Sequence, residues 1–272
     1  MKAMLPSRPS SGHKGIFGTV AIIGGSISKE NVMLGSPIFA AQAAIRSGAG
    51  LITFVGKKEL LIYLIRQVPQ AVGIIPDGKL NREAGKWQAI VAGPGLGMRP
   101  ANKKLLADIL ALGKPTVIDA DALNTIAKYP ELFEKIHSLC VLTPHPKEFE
   151  RLAKALSISS PERMSAKLNC TVVLKSHKTK VISPGREWTE KYENPALATG
   201  GTGDVLAGLI GGLLAQYCPD RLTAFECAKL GVVIHSQAAK QWRTVHGSAG
   251  LIIEELLGLI PETVQKMRTG ED

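Results

Sequence analysis

Short runs of β-branched and aliphatic residues recur along this 272-residue chain, and most end in glycine or a polar turn before a helical stretch. Thr19-Val20-Ala21-Ile22-Ile23 ends in Gly24-Gly25-Ser26. Leu51-Ile52-Thr53-Phe54-Val55, Ala71-Val72-Gly73-Ile74-Ile75 and Ala89-Ile90-Val91-Ala92 follow, the last leading into Gly93-Pro94-Gly95-Leu96-Gly97. Thr116-Val117-Ile118 leads to Asp119-Ala120-Asp121, Leu139-Cys140-Val141-Leu142 to Thr143-Pro144-His145-Pro146, and Thr171-Val172-Val173-Leu174 to Lys175. Continuous apolar runs of this length are strands buried on both faces. Alternation with helices gives an α/β fold: a central, mostly parallel sheet between two helical layers, with right-handed crossovers. Pro184-Gly185 marks a hairpin within residues 180–191. Helices are expected at 36–47, 58–66 and 101–112, through Leu156, and at about 203–216, 222–242 and 248–257. Polar or glycine-rich signals stand at strand after strand's carboxyl end, the edge where open α/β sheets bind ligands.

No Pro/Gly/Ser-rich linker or internal repeat interrupts the pattern, so residues 1–272 read as one domain with residues 1–12 as a flexible lead. Hydrophobic residues make up 45% and aromatics only 5%, so Ala, Val, Ile and Leu must build the core. Alanines at 40, 41, 43 and 44 suit a closely packed helix. The net charge of +10 comes from scattered Lys and Arg without a basic stripe, which favours attraction of small anions over nucleic acid. Cys140, Cys170, Cys218 and Cys227 form no CxxC or zinc spacing, and Cys140 and Cys170 sit in apolar runs as buried thiols. With no apolar stretch for a secretory signal or a membrane span, a cytoplasmic location is expected.

The segment Ala198-Thr199-Gly200-Gly201-Thr202-Gly203-Asp204 precedes an apolar helix. Its glycines let backbone N–H groups converge, and the helix start adds partial positive charge, which together make an anion site. Asp204 is either a first-turn acid that meets the helix dipole or a general base beside the anion. A Thr-Gly-Gly-Thr-Gly loop has little reason to exist for capping, which favours the base. The loop is not a Walker A sequence, and no GxGxxG follows the first strand.

Gly-Gly-Thr-Gly-Asp at a late helix start resembles the ribokinase-like superfamily. His13-Lys14-Gly15, Gly24-Gly25-Ser26, Arg46-Ser47-Gly48-Ala49-Gly50-Leu51, Gly93-Pro94-Gly95-Leu96-Gly97, Asp119-Ala120-Asp121-Ala122-Leu123 and Thr143-Pro144-His145-Pro146-Lys147-Glu148, in this order, narrow the resemblance to the ADP/ATP-dependent NAD(P)H-hydrate dehydratases over about residues 13–262. The resemblance implies a ribokinase-like three-layer fold. It also implies a repair lyase that phosphorylates the 6-hydroxyl of the S-epimer of hydrated NADH or NADPH with ADP or ATP and then eliminates phosphate. Mg²⁺ is implied for charge neutralisation, with no protein ligands assigned. A homo-oligomer, a tetramer by analogy with relatives, and a separate NAD(P)H-hydrate epimerase are the implied partners, because the epimerase domain fused upstream in some members is not found here.

By the same resemblance Asp204 is the base, and Thr199, Gly200, Gly201, Thr202 and Gly203 form the anion hole. Lys175, Ser176, His177, Lys178 and Thr179 match the family's Lys-Gly-x-x-Thr segment at the adenine nucleotide. Ser176 stands where the family has Gly, which would restrict the backbone if the turn needed positive φ. Ser36, Gly95, Asp119, His145, Pro146, Lys147, Glu148, Arg151 and Asp204 fall against the hydrated dinucleotide. Lys147 replaces the usual Gly and adds a possible phosphate contact. Glu148 reads equally as support for magnesium-bound water or as a first-turn acid. Asp119 and Asp121 read as caps or ligands, with Asp119 the better ligand. Residues 28–37 depart most from the family, and Ser36 is matched there to a small residue of the dinucleotide site. His235 and His246 match no motif and are expected to be structural. Two other readings stay open: a small-molecule kinase of the same superfamily and a catalytically idle nucleotide sensor.

Overall fold

The computed structural model describes residues 5–76 and 80–270. Its strands are β1 Thr19–Ile23, β2 Ser26–Ile27, β3 Val32–Met33, β4 Leu51–Val55, β5 Ala71–Ile74, β6 Ala89–Ala92, β7 Thr116–Ile118, β8 Cys140–Leu142, β9 Thr171–Leu174, β10 Lys180–Ser183 and β11 Arg186–Thr189. Its helices are α1 Gly35–Arg46, α2 Lys58–Gln67, α3 Asn81–Ala84, α4 Ala101–Leu110, α5 Ala120–Lys128, α6 Pro146–Leu156, α7 Pro161–Leu168, α8 Thr202–Tyr217, α9 Ala224–His246 and α10 Ile253–Thr269.

One sheet runs β11-β10-β9-β8-β7-β6-β1-β4-β5. Strands β5 to β9, with β1 and β4, pair in parallel, and β10 and β11 add an antiparallel edge. Side chains alternate across each strand. Val20 and Ile22 therefore face one core with α1, α8, α9 and α10, while Ala21 and Ile23 face another with α4 to α7. Each fully buried aliphatic side chain contributes roughly 1.5–3 kcal/mol. This is the three-layer α/β arrangement expected from the strand pattern.

Small residues let α1 and α8 touch at the backbone. A Cβ at Gly208 would lie 2.1 Å from the Ala40 carbonyl oxygen, and one at Gly212 would lie 2.0 Å from Ser47 Oγ. This packing holds the start of α8 against the sheet edge.

Four features differ from expectation. The small β2–β3 sheet and α7 had no strong period. The last helix begins later and runs longer than 248–257, continuing through Pro261. The lead segment is docked from Leu5 onward: Leu5 is buried and its N–H donates to Met267 O at 3.2 Å, and Arg8 donates to Gly48 O at 2.8 Å. Met1–Met4 lie outside the described residues. All four cysteines are free, and Cys140 and Cys170 are buried as expected. No helix among the described residues is long and apolar enough to cross a membrane.

Candidate active site

The carboxyl ends of β6, β7, β8 and β9 converge on the start of α8. Gly201 caps that helix at φ 95° and offers no side-chain acceptor; the Thr202 N–H donates to Thr199 O at 3.4 Å, and the N–H groups of Gly203 and Asp204 point out of the helix start, the arrangement that suits an anion. The loop before it is braced from below, because Thr202 Oγ1 donates to both Leu197 O and Thr199 O at 2.9 Å. Thr199 and Gly200 remain exposed, and Gly203 and Asp204 are half-buried.

Lys175 links this loop to the sheet. Its N–H donates to Pro144 O at 2.9 Å, which ties the end of β9 to the end of β8. Its Nζ donates to Asp119 Oδ1 at 2.7 Å and sits 3.4 Å from where a Gly203 Cβ would be. Thr143 Oγ1 donates to the same Asp119 oxygen at 2.8 Å. Asp119 is only 1% exposed, so two donors on one carboxylate oxygen are what makes its burial tolerable. Burial works against the Lys175 charge, but the carboxylates of Asp119, Glu148 and Asp204 outweigh it and leave the pKa raised. The ammonium is therefore a fixed positive charge beside the anion loop.

Asp204 has the opposite balance. Burial and the negative charge of Asp119 push its carboxyl up to about 7, against a Ser36 hydrogen bond and the pull of Lys175, with Asp121 adding to the rise. Ser36 is itself beside Gly95, where a Cβ would lie 3.4 Å from Ser36 Cβ and 2.9 Å from Met33 O. Gly95 (φ 61°) is thus a place where backbone must approach closely. Gly97 N donates to Asp121 Oδ2 at 2.8 Å and Asn102 Nδ2 to Gly97 O at 2.6 Å, which fixes the turn. Asp121 braces this turn, and Asp119, one residue before the strained Ala120 (φ 48°), is the carboxylate paired with Lys175.

His145 starts α6 with Pro146 at its first position. His145 Nδ1 accepts from Lys147 N at 3.2 Å, and Glu148 Oε2 accepts from His145 N at 2.9 Å, a reciprocal capping box. Glu148 is 5% exposed, so it is both a first-turn acid and a charge that Lys175 feels. Lys147 is exposed, and Arg151 turns aside to Asn124 Oδ1 at 2.8 Å.

The turn after β9 resolves the concern over Ser176. The positive-φ non-glycine residues among those described are Ala120, Ser157 and Asn169, so Ser176 keeps an ordinary backbone. Its hydroxyl donates to Lys178 O at 2.8 Å, and Thr179 Oγ1 donates to Ser176 O at 3.2 Å. Lys178 points away to Glu193 at 3.1 Å. Ser176, His177 and Thr179 line a cavity of about 150 Å³ with Lys175 and Gly203. Sequence reasoning missed that His235 lines the same cavity. The one signal was a His-Ser pair directly after the apolar run 231–234 of α9. Also unforeseen is a cavity of about 670 Å³ beyond Gly24, Gly25 and Leu96. Among the described residues, no group of three or more His, Cys, Asp or Glu gathers as metal ligands.

Residues 20–262 match the family model described as NAD(P)H-hydrate dehydratase. The chain is 37% identical to the ADP-dependent (S)-NAD(P)H-hydrate dehydratase of Neisseria meningitidis over 96% of its own length and 88% of that protein. It is 30% identical to a bifunctional NAD(P)H-hydrate repair enzyme of Moorella thermoacetica, over 98% of its own length and 53% of that protein. The chain thus spans about half the length of the bifunctional relatives it matches. Among solved structures it is similar to the ADP/ATP-dependent NAD(P)H-hydrate dehydratase of Bacillus subtilis co-crystallized with ATP/Mg²⁺, with a TM-score of 0.79 and 26% identity over 97% of this chain and 95% of that one.

Proposed function

Because the chain belongs to the NAD(P)H-hydrate dehydratase family, we propose that it restores hydrated NADH or NADPH in a reaction driven by ADP or ATP. The observation that carries this reading is the place of Asp204, half-buried in the first turn of an uncapped helix beside Lys175, where burial and Asp119 raise its carboxyl to about 7 against the pull of Ser36 and Lys175. A base whose pKa lies near working pH is suited to deprotonating a hydroxyl.

In the first step Asp204 takes the proton of the substrate's 6-hydroxyl as its oxygen bonds to the terminal phosphorus and the shortened nucleotide departs. The N–H groups of Gly201, Gly203 and Asp204 and the Lys175 ammonium receive the charge on the transferred group. In the second step the ring nitrogen's lone pair expels phosphate from C6, and loss of the C5 proton restores the double bond. Gly95 lets the dinucleotide lie against backbone, and Ser36 fixes Asp204. The His145 ring, held by its capping box, forms the rim with Pro146 and Lys147, and Arg151 would reach it only on leaving Asn124.

The donor set fits Mg²⁺ in the manner of phosphoryl-transfer sites: oxygen only, one or two carboxylates, the remainder being phosphate and water. Asp119 and Glu148 would hold it through water, and the ion would neutralise phosphate charge. A separate epimerase would supply the S-epimer. Exposed Ile62, Tyr63, Val72 and Ile75 on α2 and the β5 edge support a homo-oligomer, and the free thiols suit a cytoplasmic protein.

The test is absorbance at 340 nm with purified protein, chemically hydrated NADH, Mg²⁺ and either ADP or ATP. A nucleotide-dependent rise is expected and identifies the donor. No rise from folded protein with either nucleotide or with hydrated NADPH would overturn the reading in favour of a small-molecule kinase.

A further inference from the structure

Helix α9 buries two polar side chains that the reaction above does not use. His235 is 8% exposed and Ser236 4%. Among the described residues, His235 Nε2 and Ser236 Oγ have no hydrogen-bond partner, and neither does Asn194 Nδ2 in the segment entering the phosphate loop. All three side chains line the 150 Å³ cavity that ends at Lys175 and Gly203. Stranded buried polar atoms destabilise a fold until a partner arrives, so three around one cavity point to a ligand. The cavity is smaller than the roughly 300 Å³ of a whole-ligand pocket, so it takes part of a molecule. With phosphates on the loop at one end, that part is the nucleoside.

We infer that His235 and Ser236 are specificity-determining residues for the phosphoryl donor, hydrogen-bonding its nucleoside half in the cavity between α9 and the phosphate loop. This rests on the nucleotide-driven reading and deepens it.

The chemistry of His235 says what it selects. Burial brings the imidazole down to about 4, a hydrogen bond to the Thr202 backbone works against that, and Lys175 adds to the fall. The ring is therefore neutral near pH 7. A neutral imidazole has one donor and one acceptor nitrogen, and with its proton on Nδ1 the unpartnered Nε2 is the acceptor. An acceptor selects a donor, and a nucleoside offers the exocyclic amine of adenine or a ribose hydroxyl. Asn194 Nδ2 is a donor and the Ser236 hydroxyl can be either, which complements the ring nitrogens of a purine.

The test is calorimetric titration of the full chain with ADP, 2′-deoxy-ADP and purine riboside diphosphate, which lacks the amine. Wild type, His235→Leu and Ser236→Ala are compared. Wild type is expected to bind one analogue about threefold to tenfold more weakly than ADP, as for one lost neutral hydrogen bond. That penalty should fall below about twofold in at least one variant, because the group that read the missing donor is gone. Loss with the deoxy analogue assigns the ribose, and loss with the purine analogue assigns the amine. If wild type penalises neither analogue, or every folded variant keeps the full penalty, His235 and Ser236 are structural and the inference fails. Ser236→Ala carries the test if His235→Leu does not fold. Wild type that binds neither ADP nor ATP would overturn the nucleotide-driven reading itself.

Discussion

The Gly93–Gly97 wall and the Lys175–Asp119–Asp204 group stand at neighbouring strand ends, yet their shape is held by different physics. The wall is steric. A Cβ at Gly93 would lie 1.8 Å from the Asp119 carbonyl oxygen, and the residue sits at φ 122°. The charged group is electrostatic. Asp119 is stabilised by Lys175 and Thr143, while Asp204 is left at the end of the chain of charges with its carboxyl raised to about 7. The wall should therefore fail through folding, and the charged group through chemistry.

Asp204→Asn would sharpen that contrast most. Removing a positioned base should lower turnover by about 10²–10⁴-fold while nucleotide binding, measured by calorimetry, persists. Near-wild-type turnover would show that Asp204 only meets the helix dipole.

Gly93→Ala is expected to act the other way. Overpacking against backbone adds about 1–3 kcal/mol of destabilisation, and an L-residue at this φ adds strain of about the same order. Urea unfolding should show a lowered midpoint, with activity falling alongside the folded fraction. A fully stable but inactive Gly93→Ala protein would erase the distinction between the wall and the charged group.

The same contrast explains what could be read from sequence. Strands such as Thr19–Ile23 were legible because burial on both faces forces continuous β-branched runs, and the hairpin was legible from Pro184-Gly185. The loop 200–204 was legible because glycine spacing is itself the chemistry. Helix α7 was not, since Pro161 at its first turn reads as a breaker although that position tolerates proline. Pro261 similarly hid the length of α10. His235 was invisible for another reason: nothing near it in sequence marks a site, and it meets the loop only when α9 docks on α8. The pairing of Lys175 with Asp119 is likewise a contact across 56 residues.

The smallest expected effect separates cost from function within the charged group. A carboxyl at about 7 in the folded chain and near 3.9 when unfolded binds its proton more tightly when folded. Stability from this residue is thus complete at low pH and is lost as pH rises from about 4 through about 7. Asn carries no such cost. Asp204→Asn should therefore melt about 2–4 °C above wild type at pH 8, a shift corresponding to about 1 kcal/mol in a chain of this size. The gain should shrink towards zero near pH 4.5, where Asp204 is protonated in the fold. A gain equal at both pH values would assign it to packing or hydrogen bonding, and the raised carboxyl would no longer explain why a half-buried acid sits at the start of α8.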